Sequence, residues 1–432
     1  MEAKVNRKVF VSFLGLGNYA PVCYKSWKSG DYAAETRYAQ RAIVELYPHS
    51  DIDAIVLFET AESQGKHEQA LLAELEQLGV DRKKIETEII STDVSNLSLS
   101  WKWFESLQSK FNNGDTLILD ITHGFRMVPV VFSAAVAYLK RVKDVNLEAV
   151  LYASYDIEGC PIVDLKDFYS ISDWTEGVGR LVDSADPSFL RQTAEQESTG
   201  SFAGLNNAEL LNSIEELMSA LKNVELQNIE QKARKSLDLI CKYKAQSEGA
   251  LEGQVLQMVL DKFQPLMSSP PLDGTYSLGY LKLQLSLVKM LAEYRLYMQA
   301  FTAMNEWLGS LGVFLMKRGA DFKFNTGKDK SARKHADMFL RMLEFAEKCE
   351  TKDGDEAGLK SALEVSYRTL FEKYTTREQV ANLLKQSKNI RNGFNHGWTG
   401  TKRSGAPSDI GKTFDNAMVI LDEILDKIEK DV

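Results

Sequence analysis

The sequence predicts two unlike halves: an α/β domain built on a mostly parallel, doubly wound sheet, then an all-α region. Three observations carry this expectation. Short β-branched and aromatic runs alternate with amphipathic stretches of helical period as far as Ser154, and that alternation is the signature of βαβ units. From Asn207 onward strand-like runs disappear. Between the two lies a stretch, Asp173 to Gly204, carrying Gly177, Gly179, Pro187, Gly200 and Gly204 among many Ser, Thr and Asp residues, which reads as a boundary.

In chain order, Lys8 to Leu14 (KVFVSFL) reads as a buried strand ending in Gly15-Leu16-Gly17-Asn18-Tyr19. Val22 to Trp27 reads as extended. Ala34 to Leu46 follows a helical pattern, Asp53 to Phe58 a strand ending in Glu59-Thr60, and Lys66 to Leu78 an amphipathic helix stopped by Gly79. Ile85 to Ile90 is a strand, and Ser98 to Phe111 a helix with Trp101, Phe104 and Leu107 at helical spacing. Thr116 to Ile121, Met127 to Val142 and Leu147 to Ser154 complete the alternation as strand, helix and strand. Parallel sheets of this kind hold ligands outside the carboxyl ends of their strands. Gly15–Tyr19, Glu59–Ser63 and Asp120–Arg126 all fall there, so three loops rich in small and polar residues gather on one rim.

In the second half, Glu209 to Tyr243 reads as one long helix, followed by helices over Leu251–Met267, Leu278–Met316, Leu359–Tyr374, Glu378–Asn389 and Asp409–Ile428. Tyr294, Tyr297, Phe301, Trp307 and Phe314 recur with apolar partners at helical spacing, which makes them core. The segment Lys317 to Arg341 is rich in Lys and Arg with Phe322 and Phe324 interleaved. It is a candidate phosphate-backbone contact, although a charged run is more often a solvated face. The expected divisions are residues 1–172, a connector at 173–206, and a helical region at 207–432.

Composition narrows the function. A chain of 432 residues, 44% hydrophobic and 26% charged, exceeds one ordinary core and has the balance of a soluble protein. A net charge of −9 argues against indiscriminate coating of nucleic acid. No apolar run is long enough to span a bilayer, and no signal-peptide pattern opens the chain. The four cysteines, Cys23, Cys160, Cys241 and Cys349, are far apart and form no metal-spaced pair. A cytoplasmic protein with free thiols and no membrane partner is expected. The glycines after the first strand lack the third member of a dinucleotide fingerprint, so a nicotinamide cofactor is not expected. No metal-ligand set is visible either.

Two stretches carry chemistry. In Asp120-Ile121-Thr122-His123-Gly124-Phe125-Arg126, Thr122 and His123 can donate hydrogen bonds, Gly124 permits close backbone approach, and Arg126 opens a helix, a combination suited to an anion. The plainer alternative is that Asp120 and Thr122 cap the next helix and His123 is a turn residue. In Arg391-Asn392-Gly393-Phe394-Asn395-His396, an arginine can hold phosphate oxygens while a histidine moves a proton. Residues five apart on a straight helix point about 140° away from each other, at about 100° per residue. One helix would therefore not aim Arg391 and His396 at one atom, whereas a two-fold dimer supplies a second copy. The alternative is an ordinary surface arginine and a histidine at a helix C-terminus before Gly397.

Taken together, the two stretches resemble a known family. Asp120-Ile121-Thr122-His123-Gly124 is similar to the Asp-x-Thr-His-Gly signature of CRISPR-associated proteins with a CARF sensor domain, and Phe13-Leu14-Gly15-Leu16-Gly17-Asn18-Tyr19 to that family's first loop. Arg391-Asn392-Gly393-Phe394-Asn395-His396 resembles the HEPN ribonuclease motif. The resemblance implies a Rossmann-like CARF domain followed by a HEPN domain, in an ancillary ribonuclease of type III CRISPR antiviral defence. It further implies that a cyclic oligoadenylate, tetra- or hexa-adenylate, binds across a homodimer (or higher homo-oligomer) and switches on metal-independent cleavage of single-stranded RNA. Carried over, Arg391 and His396 become the catalytic pair, supported by Asn392. Gly15, Gly17, Asn18, Thr60, Thr122, His123, Gly124 and Arg126 become ligand contacts, and Glu306 a candidate acidic neighbour of the catalytic pair. The rival expectation is a catalytically inactive CARF-type sensor that recruits a partner through its helical domain.

Overall fold

The computed structural model describes residues 6–90, 97–123, 128–196, 202, 205–246, 250–318, 321–324, 331–344, 354–399 and 409–431. The chain divides into two compact units, Met1–Ser172 and Asp173–Val432.

The first unit alternates strand and helix: β1 (Lys8–Leu14), α1 (Ala39–Leu46), β2 (Ala54–Glu59), α2 (Ala61–Ser63), α3 (Gln69–Gln77), β3 (Ile85–Ile89), α4 (Leu97–Ser109), β4 (Thr116–Asp120), α5 (Val128–Lys143), β5 (Asn146–Ala153) and β6 (Ile162–Asp164). A five-residue π-helical stretch, Gln64–Glu68, joins α2 to α3. The six strands lie in the order β3-β2-β1-β4-β5-β6. The first five pair in parallel, and β6 runs antiparallel to β5. The expected sheet is therefore present, with one edge strand more than the sequence pattern suggests.

The pattern of β1 explains the two covered faces. Side chains alternate across a strand. Val9, Val11 and Phe13 pack with Trp103, Leu107, Phe132 and Leu139, from α4 and α5. Phe10 and Leu14 pack with Ile43, Leu71 and Leu75, from α1 and α3. Burial on both faces is why the run is apolar on both, with Ser12 the one polar residue inside it. The order of strands reverses between β1 and β4, and sheets of this kind bind ligands in the crevice beside that switch point.

The second unit is helical. It begins within α6 (Lys166–Ser184) and continues through α7 (Ser188–Gln196), α8 (Ala208–Lys222), α9 (Ile229–Gln246), α10 (Ala250–Phe263), α11 (Leu278–Glu293), α12 (Tyr297–Val313), α13 (Ser331–Glu344), α14 (Gly354–Thr369), α15 (Arg377–Asn395) and α16 (Ile410–Asp431). The stretch read as a single helix from Glu209 to Tyr243 is two. Asn223 ends α8 and Val224 takes φ +56°, reversing the chain into α9. Phe301 and Trp307 are fully buried, with the Trp307 indole donating to the Leu281 carbonyl at 3.0 Å. No described helix is long and apolar enough to cross a membrane.

Candidate functional site

The rim of the first unit is organised by a buried carboxylate. Asp120 closes β4 with no exposure to solvent. One oxygen accepts from the Ser12 hydroxyl on β1 at 2.6 Å. The other accepts from the Thr122 amide at 2.9 Å and the Thr122 hydroxyl at 2.5 Å. Burial raises the pKa of this carboxyl, and the three hydrogen bonds oppose the rise. The Thr122 hydroxyl in turn accepts from the Ala153 amide at 2.9 Å. Thr122 thus ties β4 to β5, and its hydroxyl already makes two bonds within the fold.

His123 follows at the end of this turn. Burial holds its imidazole down at about 4, and the nearby His67 adds to the effect. The ring is therefore neutral near pH 7. Its Nε2 is buried and has no hydrogen-bond partner among the described residues. Gly15, at the end of β1, lies directly against this turn. A Cβ there would stand 3.2 Å from the His123 carbonyl oxygen and 2.9 Å from the Tyr19 hydroxyl, so a side chain at 15 would push the two loops apart.

Tyr19 folds back over the crevice between two histidines. Its ring centroid lies 4.4 Å from that of His123 and 4.8 Å from that of His67. Burial pushes its hydroxyl up to about 12. His67 and Lys66 come from the π-helical stretch after β2. The His67 Nε2 faces the Gly17 carbonyl oxygen at 2.9 Å. A carbonyl can only accept, so Nε2 carries the proton. The Lys66 ammonium donates to the Asn18 side-chain oxygen at 2.7 Å and the Leu16 carbonyl at 3.0 Å. Loop 15–19 is thereby held by the segment that follows β2.

Thr60 lies at the base of that segment as its N-cap. Its hydroxyl accepts from the Ser63 amide, and the Ser63 hydroxyl accepts from the Thr60 amide. Beside it, burial lifts the Glu59 carboxyl to about 7, with Glu68 adding to the rise. One Glu59 oxygen accepts from Gln64 at 3.1 Å, and the other has no partner among the described residues. The rim therefore brings together Gly15, Gly17, Asn18, Thr60, Thr122 and His123. Gly124 and Arg126 lie outside the described residues. Lys66, His67 and the inward fold of Tyr19 were not in the sequence-based set. The available signal was Gln64-Gly65-Lys66-His67 just past a strand end; π-helical turns recur at functional sites.

The second candidate cluster closes α15. Thr376 opens that helix with a capping box to Gln379. Arg391 is half-buried in the last turn, Asn392 and His396 are exposed, and His396 is the C-cap residue. The end is a Schellman motif. The Trp398 amide donates to the Gly393 carbonyl at 2.8 Å, the Gly397 amide donates to the Phe394 carbonyl at 3.3 Å, and Gly397 takes φ +57°. Trp398 then packs onto Gly393 so closely that a Cβ there would stand 2.3 Å from the indole. Phe394 meets the same indole edge-on at 5.5 Å. The glycine inside the Arg391–His396 stretch is therefore a packing requirement, and it fixes how the chain leaves His396.

Among its described residues, the basic stretch Lys317 to Arg341 is partly engaged within the fold. Phe324 is buried and stacks on Tyr280 at 4.0 Å, and Phe322 packs on His335 at 4.8 Å. Arg333 pairs with Glu306 and with Asp337. Glu306, expected near the catalytic pair, is thus engaged by an arginine on α13.

The first unit is a doubly wound α/β domain with its candidate ligand site at the switch point of the sheet. Residues 9–156 match the family described as the CARF domain of CRISPR system endoribonuclease Csx1. A CRISPR-associated protein of Methanocaldococcus jannaschii is 30% identical over 98 residues, which is 22% of this chain and 16% of that protein. The match thus spans under a fifth of that relative's length. Among solved structures, Enterococcus italicus Csm6 bound to cyclic hexa-2'-fluoro-hexa-dAMP aligns over 99% of this chain and 95% of that one, at 14% identity and a TM-score of 0.37. The N-terminal unit is therefore similar to the CARF domains of CRISPR systems.

Proposed function

We propose that the protein is a cyclic oligoadenylate-activated, metal-independent endoribonuclease of type III CRISPR defence that cleaves single-stranded RNA. The observation that carries this reading is the conjunction of a rim at the switch point of a CARF-like unit with an Arg–His pair at the end of α15 in a separate helical unit. The ligand end of the reading rests on the loops 15–19 and 120–123, which meet at Gly15. A small anionic ring suits a rim that carries the exposed Lys66 ammonium beside loop 15–19. It also accords with the adenylate-type ring carried by the Csm6 structure.

At the other end, the substrate's own 2′-hydroxyl attacks the adjacent phosphorus. Arg391 holds the non-bridging oxygens as charge builds, His396 moves a proton between the hydroxyl and leaving oxygens, and Asn392 positions the scissile group. Arg391 and His396 stand five positions apart on one helix end, so the groove uses two copies of α15 from a homodimer. The ligand activates by favouring the dimer geometry in which these helix ends are in register.

The chemistry is tested with matched substrates. A single-stranded RNA and the same sequence in 2′-deoxy form are incubated with the protein and its activating ring. Cleavage of the RNA alone, leaving 2′,3′-cyclic phosphate ends, is expected. Equal cleavage of the deoxy strand would overturn attack by the 2′-hydroxyl.

A further inference from the structure

We propose that Lys66 is the cation of the rim that takes a phosphodiester oxygen of the bound ring, and that it leaves the first loop to do so. This rests on the sensor reading above and adds to it a residue that the rim motifs do not contain.

The argument begins with what surrounds the ammonium. Lys66 is exposed at the carboxyl end of β2, within the π-helical stretch Gln64–Glu68. Its Nζ donates to the Asn18 side-chain oxygen at 2.7 Å, to the Leu16 carbonyl at 3.0 Å, and stands 3.5 Å from the Gly17 carbonyl. All three acceptors are neutral, and all belong to the loop that leaves β1 at the switch point. No carboxylate pairs with this ammonium among the described residues, in contrast to Lys110, Lys232 and Lys262, each of which meets a glutamate. A lysine held only by neutral oxygens has no counter-charge to give up, and turning to a phosphate adds the attraction of opposite charges to a hydrogen bond it already makes.

The neighbouring side chains make the exchange specific. His67 stays bonded to the Gly17 carbonyl through its protonated Nε2, so the loop keeps one tether when Lys66 departs. Burial and the nearby Lys66 and Arg37 lower the His67 pKa, which leaves the imidazole neutral and the positive charge concentrated on Lys66 and Arg37. When Lys66 leaves, the Asn18 side-chain oxygen is freed at the same edge of the crevice. An amide that can both donate and accept then faces the ligand beside the cation. One movement therefore presents a charge to the ring's phosphate and an amide to its base or ribose.

The test is binding of radiolabelled cyclic tri-, tetra- and hexa-adenylate to the full chain, measured from 50 to 300 mM salt. The proteins compared are wild type, Lys66→Met and Lys66→Arg. Wild type is expected to bind one ring size. Lys66→Met should bind that ring about 10-fold more weakly or worse, with a shallower slope of log affinity against log salt, as loss of one cation–phosphate contact requires. Lys66→Arg should keep most of the affinity and the slope. Thermal unfolding of each variant reports whether the fold is intact. If Lys66→Met binds the ring with unchanged affinity and slope, Lys66 does not contact the phosphate, while the sensor reading stands. A weaker Lys66→Met with an unchanged slope assigns Lys66 only to holding the loop and likewise overturns the proposal. A wild type that binds no ring overturns the sensor reading and this inference with it.

Discussion

Replacing Glu59 with glutamine should stabilise the N-terminal unit at neutral pH and leave it unchanged in acid. Glu59 ends β2 at 1% exposure, with one oxygen bonded to Gln64 and the other unpartnered among the described residues. Burial, helped by Glu68, lifts its pKa from 4.5 to about 7. Below pH 4.5 both the folded and unfolded chains hold the proton, so the residue costs nothing. Between 4.5 and 7 the unfolded chain releases it and the folded chain does not, so stability falls as pH rises. At about 1.4 kcal/mol per pH unit the full cost is on the order of 3 kcal/mol, constant above pH 7.

His123 acts in the opposite sense over an overlapping window. Its imidazole is held at about 4, so its contribution is lost as pH falls from the unfolded value of about 6.5 towards 4. The wild-type curve alone therefore hides both effects, and the difference between wild type and Glu59→Gln isolates one. The assay is urea-dependent hydrogen exchange at the Val9–Phe13 amides, which reads this unit and not the helical one. The advantage of Glu59→Gln should be near zero at pH 4.5 and grow to roughly 2 to 3 kcal/mol at pH 8. An advantage that does not change with pH, or a variant less stable at pH 8, would refute the reasoning.

Other outcomes follow from the two sites. Gly393→Ala places a methyl within the Trp398 indole. It should destabilise the end of α15 by about 1 to 3 kcal/mol, as overpacking does, and reduce RNA cleavage while ring binding is retained; both are read by thermal unfolding and parallel binding and cleavage assays. Arg126→Ala should weaken ring binding without lowering the unfolding temperature, measured by equilibrium binding, and unchanged affinity would remove Arg126 from the site. Thr376→Ala removes the capping box of α15 and should cost about 1 kcal/mol by urea denaturation, with Thr376→Ser restoring it.

The parts of the fold that were legible are those written in local periodicity. Both covered faces of β1 follow from its apolar run, interrupted only by Ser12, and the rim follows from small and polar residues at three strand ends. Strand β6 was missed because three residues carry no periodicity and its antiparallel pairing with β5 is a long-range fact. The break at Val224 was missed because a β-branched residue at φ +56° has no Gly or Pro to announce it. At the rim, the loops were legible but their fastening was not. Lys66 and His67 reach backbone oxygens about 50 positions away, and backbone acceptors leave no trace in residue identity. Near the chain's end, Gly393 read as one letter of a catalytic stretch; its contact with Trp398 shows that the letter also serves packing.

The central claim is that a ring bound at residues 15–19 and 120–126 switches on cleavage by Arg391 and His396. The most direct measurement is the rate of single-stranded RNA cleavage in chelator, with each cyclic oligoadenylate in turn, for wild type and His396→Ala. Cleavage that requires one ring size and disappears in His396→Ala, while ring binding persists, is the expected result. Cleavage that proceeds without any ring, or that survives in His396→Ala, would contradict it.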